Sequence, residues 1–443
     1  MIKIKINGKI YQAEKGETVL DVCRKNGIRI PTLCHFEGLP KEQVCRLCLV
    51  ETNKHSRLRT SCGLKVEDGL EIKTESENVQ KARRINLELL WADHAGRCST
   101  CYKNRNCELQ NLAEEEKLEN FHFVPRRDEI TQKEELELVR DNLSREVVDK
   151  KNPCIEKKGS LCVECRRCIN VCPTQEFGFN FRSGQVKVET PFGKSLDCIF
   201  CGKCVEVCPV ASLIPKNDFK KIKETLDDGK KMAVAVIDPE ILENLEKYFG
   251  EEMSQAEFLG LLRQLGFEKI FSLELAESEF NQKTQEFIKN SNEQYLFSGA
   301  NLSFNFYIEK YFPKLRANLV QIDLPEIIMS RWVKRDYARQ EKINPEDIKL
   351  FFLTKQLAKK TLEGEKGVDF VLTLPEVERL AKYCKIDKET SKADFNRFVL
   401  KNKFIEKIEK PEAIKVSGIK NIQKSLSNMK TRKAEEGFYE FGF

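Results

Sequence analysis

The sequence predicts an α+β multidomain chain, with small cysteine-bearing modules in its first half and a larger α/β domain in its second. Three observations carry this. Of the 18 cysteines, 17 lie at or before Cys208 and only Cys384 follows. The pattern CxxCxxCxxxCP occurs twice, its first cysteines 36 positions apart. From residue 231 on, buried-strand patterns such as MAVAVID, EKIFSL, IKLFFLT and VDFVLTL alternate with amphipathic patterns such as SQAEFLGLLRQLG and PEIIMSRWVKRDYARQ, which suits a mostly parallel sheet.

Length and charge bound the remaining possibilities. A chain of 443 residues has room for about three domains on the usual length prior and can bury a sizeable core. Charged residues make up 33% and nearly balance at +6, too mild an excess to indicate nucleic acid. The opening MIKIKINGKIYQ alternates Ile with polar residues and lacks the features of a signal peptide, and no apolar run reaches the roughly 18 residues of a membrane helix. A cytoplasmic protein is therefore expected, where abundant cysteine points to metal rather than disulfides. No GxGxxG opens a helix and no GxxxxGK occurs, so no flavin or nucleotide is expected on this chain.

The first cysteine set is Cys34, Cys45, Cys48 and Cys62, with ten, two and thirteen residues between them. Upstream, IKIKING and GKIYQAEKGETVL read as two strands joined by a Gly-containing turn, and VLDVCRKNG as a helix. This order suits a small β-grasp ferredoxin domain over residues 1–77 holding a 2Fe-2S cluster. Zinc is the alternative, since CxxC with two further cysteines also suits tetrahedral coordination. The second set is His94, Cys98, Cys101 and Cys107 in DHAGRCSTCYKNRNC, within a segment 78–120. It follows VQKARRINLELLWADH, where Ile85, Leu89 and Leu90 recur at helical spacing, so His94 falls near a helix end.

The third and fourth sets lie in a segment 151–216, in LCVECRRCINVCPT and DCIFCGKCVEVCPV. In two-cluster bacterial ferredoxins the fourth cysteine of each such run ligates the other run's cluster. One 4Fe-4S site is then Cys162, Cys165, Cys168 and Cys208, and the other Cys198, Cys201, Cys204 and Cys172. Arg166, Arg167 and Lys203 either offset cluster charge or are ordinary solvated side chains. Cys23 and Cys154 fit no set. Between the modules, 121–150 reads as a charged helical connector and 217–230 as a lysine-rich linker.

The string CRLCLVE and the order of sets resemble the amino-terminal regions of the complex I large iron-sulfur subunit and of multicluster FeFe hydrogenases. That resemblance implies that His94 and its three cysteines hold a 4Fe-4S cluster, making one 2Fe-2S and three 4Fe-4S clusters in all. FLGLLRQLGFEKIFSLELAESEF, YIEKYFPKL, GVDFVLTLPEVERL and VSGIKNIQKSLSNMK resemble the FeFe hydrogenase catalytic domain, here 231–443. The whole chain thus resembles the large subunit of multimeric, NAD(P)-linked FeFe hydrogenases.

The family's catalytic cysteines are missing. Where it has TSCxPxW this chain has SGANLSF, where it has a cysteine before TAKK this chain has FFLTKQLAKK, and where it has CxGGC this chain has GFYEFGF. A domain that kept its fold and lost its reaction is expected, with no catalytic residue of its own. The resemblance implies an electron-relay subunit, in a flavin-based and often bifurcating complex. Its partners would be a flavin and NAD(H)-binding iron-sulfur subunit, a thioredoxin-like 2Fe-2S subunit, soluble ferredoxin and a further catalytic subunit such as a formate dehydrogenase, NiFe hydrogenase or transhydrogenase. An atypical FeFe hydrogenase and a complex I-like NADH dehydrogenase subunit are the alternatives. The aromatic tail Phe438, Tyr439, Phe441 and Phe443 is expected as an edge strand packed on its own domain, with partner docking as the other reading.

Overall fold

The computed structural model describes residues 1–92, 94, 97–118, 148–180, 187–189, 197–216, 219–245, 249, 253–386, 414–417, 419–430 and 437–442. These fall into two units, one of residues 1–196 and 203–214 and the other of 197–202 and 215–443. Most of the expected connector 121–150 lies outside the described residues. Among the described residues no helix is long and apolar enough to cross a membrane.

The first unit begins with an Asn-Gly hairpin. Asn7 (φ 48°) and Gly8 (φ 86°) both take the left-handed conformation that a two-residue turn requires, joining β1 (Ile2–Ile6) to β2 (Lys9–Ala13). Helix α1 (Val19–Lys25) starts at Thr18, whose side chain and Asp21 form a reciprocal capping box. Strands β3 (Leu49–Thr52), β4 (His55–Thr60) and β5 (Glu71–Lys73) complete a sheet ordered β2-β1-β5-β3-β4, with β1 parallel to β5. Ile4, Ile6, Val19, Leu20, Val50 and Ile72 form its core, and Cys23 is buried among them. This is the β-grasp arrangement.

Helix α2 (Glu77–Ala92) is fastened to that sheet by Arg83, which donates to the carbonyls of Leu49 (3.1 Å) and Thr74 (2.9 Å). Its buried face carries Val79, Arg83, Leu87 and Glu88, whereas Ile85 and Leu89 are 41% and 51% exposed. The apolar spacing thus located the helix but not its inner face. Helix α3 (Glu108–Glu115) follows. Beyond it, β6 (Val148–Asp149) and β7 (Ile155–Lys158) pair, the hairpin β8 (Gly178–Asn180) and β9 (Lys187–Glu189) forms, and two short helices, Arg167–Val171 and Lys203–Val207, pack together. Strand β10 (Leu213–Pro215) joins β7 to close a three-stranded sheet.

The second unit is built on a parallel sheet ordered β12-β11-β14-β15, from β11 (Met232–Ile237), β12 (Lys269–Ser272), β14 (Ile348–Leu353) and β15 (Phe370–Leu372). Alternate residues of β11 enter different cores. Ala233, Ala235 and Ile237 join the helix Gln255–Gln264 on one face, and Val234 and Val236 join Pro325–Arg331 on the other. A strand covered on both faces reads as continuously apolar, as MAVAVI does. The helix Pro325–Arg331 continues through a π-helical segment, Trp332–Tyr337, into Ala338–Glu341. The expected lysine-rich linker 217–230 is instead mostly a helix, Phe219–Asp227, because Phe219, Ile222 and Leu226 recur at helical spacing and pack on the first of these cores.

A second parallel sheet is ordered β13-β17-β16, from β13 (Tyr295–Phe297), β16 (Ile414–Ser417) and β17 (Gly437–Gly442). The aromatic tail is therefore a central strand, not an edge. Tyr439 and Phe441 are buried, and Phe441 stacks on Phe304 with ring centroids 4.3 Å apart. The stretch SGANLSF is the turn from β13 into the helix Leu302–Tyr311, capped by Asn301, which accepts from the Phe304 N–H at 3.2 Å.

Candidate metal centres

Cys34, Cys45, Cys48 and Cys62 are all buried, at 1–6% exposure. Gln43 and Arg46, flanking Cys45, take positive φ (58° and 52°). The Sγ atoms of Cys48 and Cys62 lie 3.3 Å apart, and Cys34 and Cys45 share a hydrogen bond. Within each pair the partner thiol draws one member down, Cys45 and Cys48 to about 7, aided by backbone N–H groups. The same contacts and burial push Cys34 and Cys62 well above the usual thiol range. Four converging sulfurs, two of them already inclined to the thiolate, fit a 2Fe-2S cluster.

The second set hangs on the end of α2. His94 is buried on the turn that leaves the helix, its N–H donating to the Trp91 carbonyl at 2.8 Å and its own carbonyl accepting from Arg97 at 3.1 Å. Cys98 opens a 3₁₀ turn and Cys107 is the residue before α3. Burial, and then the neighbouring Cys101, push the Cys98 thiol up. Burial pushes Cys107 up too, with Cys101 among the smaller contributors, so Cys101 lies within electrostatic reach of both Cys98 and Cys107.

In the third set, Cys162, Cys165, Cys168 and Cys208 come together. Burial and the Cys208 sulfur push Cys165 up to about 12, and the same two causes push Cys168 higher still. Cys162 also senses Cys208, after burial and its other neighbours. Cys208 thus lies within electrostatic reach of Cys162, Cys165 and Cys168.

Of the fourth set, Cys172 and Cys204 belong to the first unit and Cys198 and Cys201 to the second. The Cys172 sulfur accepts the Glu176 N–H at 3.3 Å and the Cys198 sulfur accepts the Phe200 N–H at 3.4 Å, the type of bond that tunes cluster ligands. The segment 197–202 is held within the second unit. Ile199 enters its aromatic core, Phe200 packs edge-on to Phe306 at 5.1 Å, and Lys310 donates to the Cys198 carbonyl at 3.4 Å.

The stretches SGANLSF and FFLTKQLAKK are packed and hydrogen-bonded within the second unit. The Ser298 N–H donates to the Tyr439 carbonyl at 2.8 Å, and a Cβ at Gly299 would lie 2.4 Å from the Val320 carbonyl oxygen. Beside FFLT, Thr354 donates to Asp238 at 3.2 Å, and Lys359 is enclosed between Glu326 (2.5 Å) and Asp238 (3.4 Å). Cys384 ends the helix Leu374–Tyr383 and joins none of these groups. Sequence reasoning missed how Arg167 is used. Far from solvated, it is 3% exposed, and the only signal was its place between two cysteines.

The chain matches known families along most of its length. Residues 1–77 match a 2Fe-2S iron-sulfur cluster binding domain, 83–121 the NADH-ubiquinone oxidoreductase-G iron-sulfur binding region, 161–212 a 4Fe-4S dicluster domain, and 231–408 the iron only hydrogenase large subunit, C-terminal domain. Among curated relatives, the NADP-reducing hydrogenase subunit HndD of Solidesulfovibrio fructosivorans is 28% identical, over 87% of this chain and 69% of the relative. Iron hydrogenase 1 of Clostridium pasteurianum is 26% identical, over 87% of this chain and 68% of the relative. The mitochondrial NADH-ubiquinone oxidoreductase 78 kDa subunit of Neurospora crassa is 28% identical, but over 44% of this chain and 25% of the relative.

Proposed function

For a chain with the iron-sulfur large-subunit organisation shared by NAD(P)-linked hydrogenases and complex I-type assemblies, we propose a role as an electron-relay subunit whose own hydrogenase site is inactive. The observation that supports it is a contrast within one chain. Buried and half-buried cysteine sets suited to clusters are present, while SGANLSF and FFLTKQLAKK carry no cysteine and are packed and hydrogen-bonded.

The ligands would be Cys34, Cys45, Cys48 and Cys62 for one 2Fe-2S cluster. His94 with Cys98, Cys101 and Cys107, Cys162 with Cys165, Cys168 and Cys208, and Cys198 with Cys201, Cys204 and Cys172 would hold three 4Fe-4S clusters. Such clusters, when bound, supply reversible one-electron steps. The protein's own part is to bury the sulfurs, aim N–H groups at them and replace one thiolate by the neutral His94 imidazole, which favours a reduced cluster. The partners proposed are a flavin and NAD(H)-binding iron-sulfur subunit, a thioredoxin-like 2Fe-2S subunit, soluble ferredoxin and a further catalytic subunit of formate dehydrogenase, NiFe hydrogenase or transhydrogenase type, in a bifurcating complex.

Iron and acid-labile sulfide quantitation of the full chain tests this, together with a hydrogen-evolution assay. About fourteen iron atoms and no hydrogen evolution are expected for four such clusters. Fewer than about six iron atoms, or stoichiometric zinc, would sink the relay. Hydrogen evolution by the isolated chain would sink the inactive site.

A further inference from the structure

Arg167 lies between two cysteines of the third set, yet most of its bonds run to other modules. Its guanidinium forks onto Glu108, at 2.6 Å and 2.8 Å. It also donates to the Val207 carbonyl at 3.2 Å and the His35 carbonyl at 2.9 Å, and lies 5.3 Å from the centre of the Phe36 ring. Each bonded residue adjoins a cluster cysteine, His35 beside Cys34, Glu108 beside Cys107, and Val207 beside Cys208. Arg167 itself adjoins Cys168. Its remaining donor, Nε–H, is buried with no bond to the described residues.

A buried guanidinium is costly unless its donors are used, and a residue needed only to neutralise charge would not require four bonds to three segments. The planar fork is also a shape that lysine cannot reproduce. From this geometry we infer that Arg167 is a positioning residue that fixes three cluster-bearing segments against one another and sets their reduction potentials together. The inference rests on the relay reading given above. A fixed positive charge beside three sulfur-ligand sets favours the added electron at each, and Glu108 opposes it from one side.

The test is a potentiometric EPR titration of the full chain, with iron quantitation, for wild type, Arg167→Gln, Arg167→Lys and Glu108→Gln. In Arg167→Gln the centres of the first three sets are expected to move to lower potential together, with the Cys198 set moving least. In Arg167→Lys potentials stay near wild type, because the charge remains, while thermal stability drops with the lost fork. In Glu108→Gln the potentials rise. If Arg167→Gln fails to retain iron, Glu108→Gln decides, and unshifted potentials there overturn the inference. A shift confined to one centre, or none, in an iron-loaded Arg167→Gln also overturns it. A wild-type chain without iron removes the relay reading and this inference together, whereas a loaded wild type with unshifted variants removes this inference alone.

Discussion

Lys360 and Glu376 face each other at 3.0 Å, each 1% exposed or less at the side chain. Glu376 also closes the capping box of Thr373, accepting its hydroxyl at 2.6 Å and its N–H at 2.8 Å, while Lys360 donates to the Val371 carbonyl at 2.7 Å. The pair therefore links the segment after β14 to β15 and the helix that follows it. Replacing Lys360 by Met leaves a buried carboxylate without its cation and is expected to destabilise the second unit by about 3–5 kcal/mol. Adding Glu376→Gln should recover part of that loss, which urea unfolding of the single and double variants measures.

Glu277 makes the stability of the second unit depend on pH. Burial first, and then the negative charge of Asp238, raise its carboxyl from 4.5 to about 7, against the pull of Lys359. Between those values the unfolded chain has released the proton and the folded chain keeps it, so stability falls as pH rises through this window and levels off above about 7. Glu277→Gln should remove that slope and be the more stable protein at pH 8, by on the order of 1–2 kcal/mol once partial solvent screening is allowed for. Thermal melts from pH 4.5 to pH 8 of both proteins check this; parallel curves would refute it.

Cys62→Ser should remove about two iron atoms and the 2Fe-2S signal, leaving the 4Fe-4S signals in place. Loss of all signals would show that the β-grasp set is not an independent site.

The crosswise assignment has its own test. Cys208→Ala should abolish the centre of Cys162, Cys165 and Cys168, whereas Cys172→Ala should abolish that of Cys198, Cys201 and Cys204. EPR of the two variants reads which signal goes, and each variant losing its own run's centre instead would overturn the pairing.

Phe441 is 2% exposed on the central strand β17, stacked on Phe304 and edge-on to Phe297 at 5.6 Å. Phe441→Ala should cost about 3–5 kcal/mol, measured by denaturant unfolding. A cost under about 1 kcal/mol would mean that the tail is not part of the core, since a large buried aromatic cannot be truncated so cheaply.

The cysteine intervals and the parallel strands were legible because each is written in spacing. Thiolate clusters demand fixed intervals, and a strand covered on both faces reads as an unbroken apolar run. The face of α2 was not legible, since Arg83 and Glu88 are buried through bonds to partners distant in sequence or through a neighbouring ion pair, which hydrophobic spacing does not register. Nor was the place of the tail, because an aromatic strand looks alike at the edge and in the centre until its neighbours are known. By itself, then, the sequence determined which cysteine intervals the chain offers and where it departs from the cysteine pattern of the family it resembles. Only the tertiary structure decided that Arg167 spans three segments, because that depends on residues 40 to 132 positions apart being brought within bonding distance.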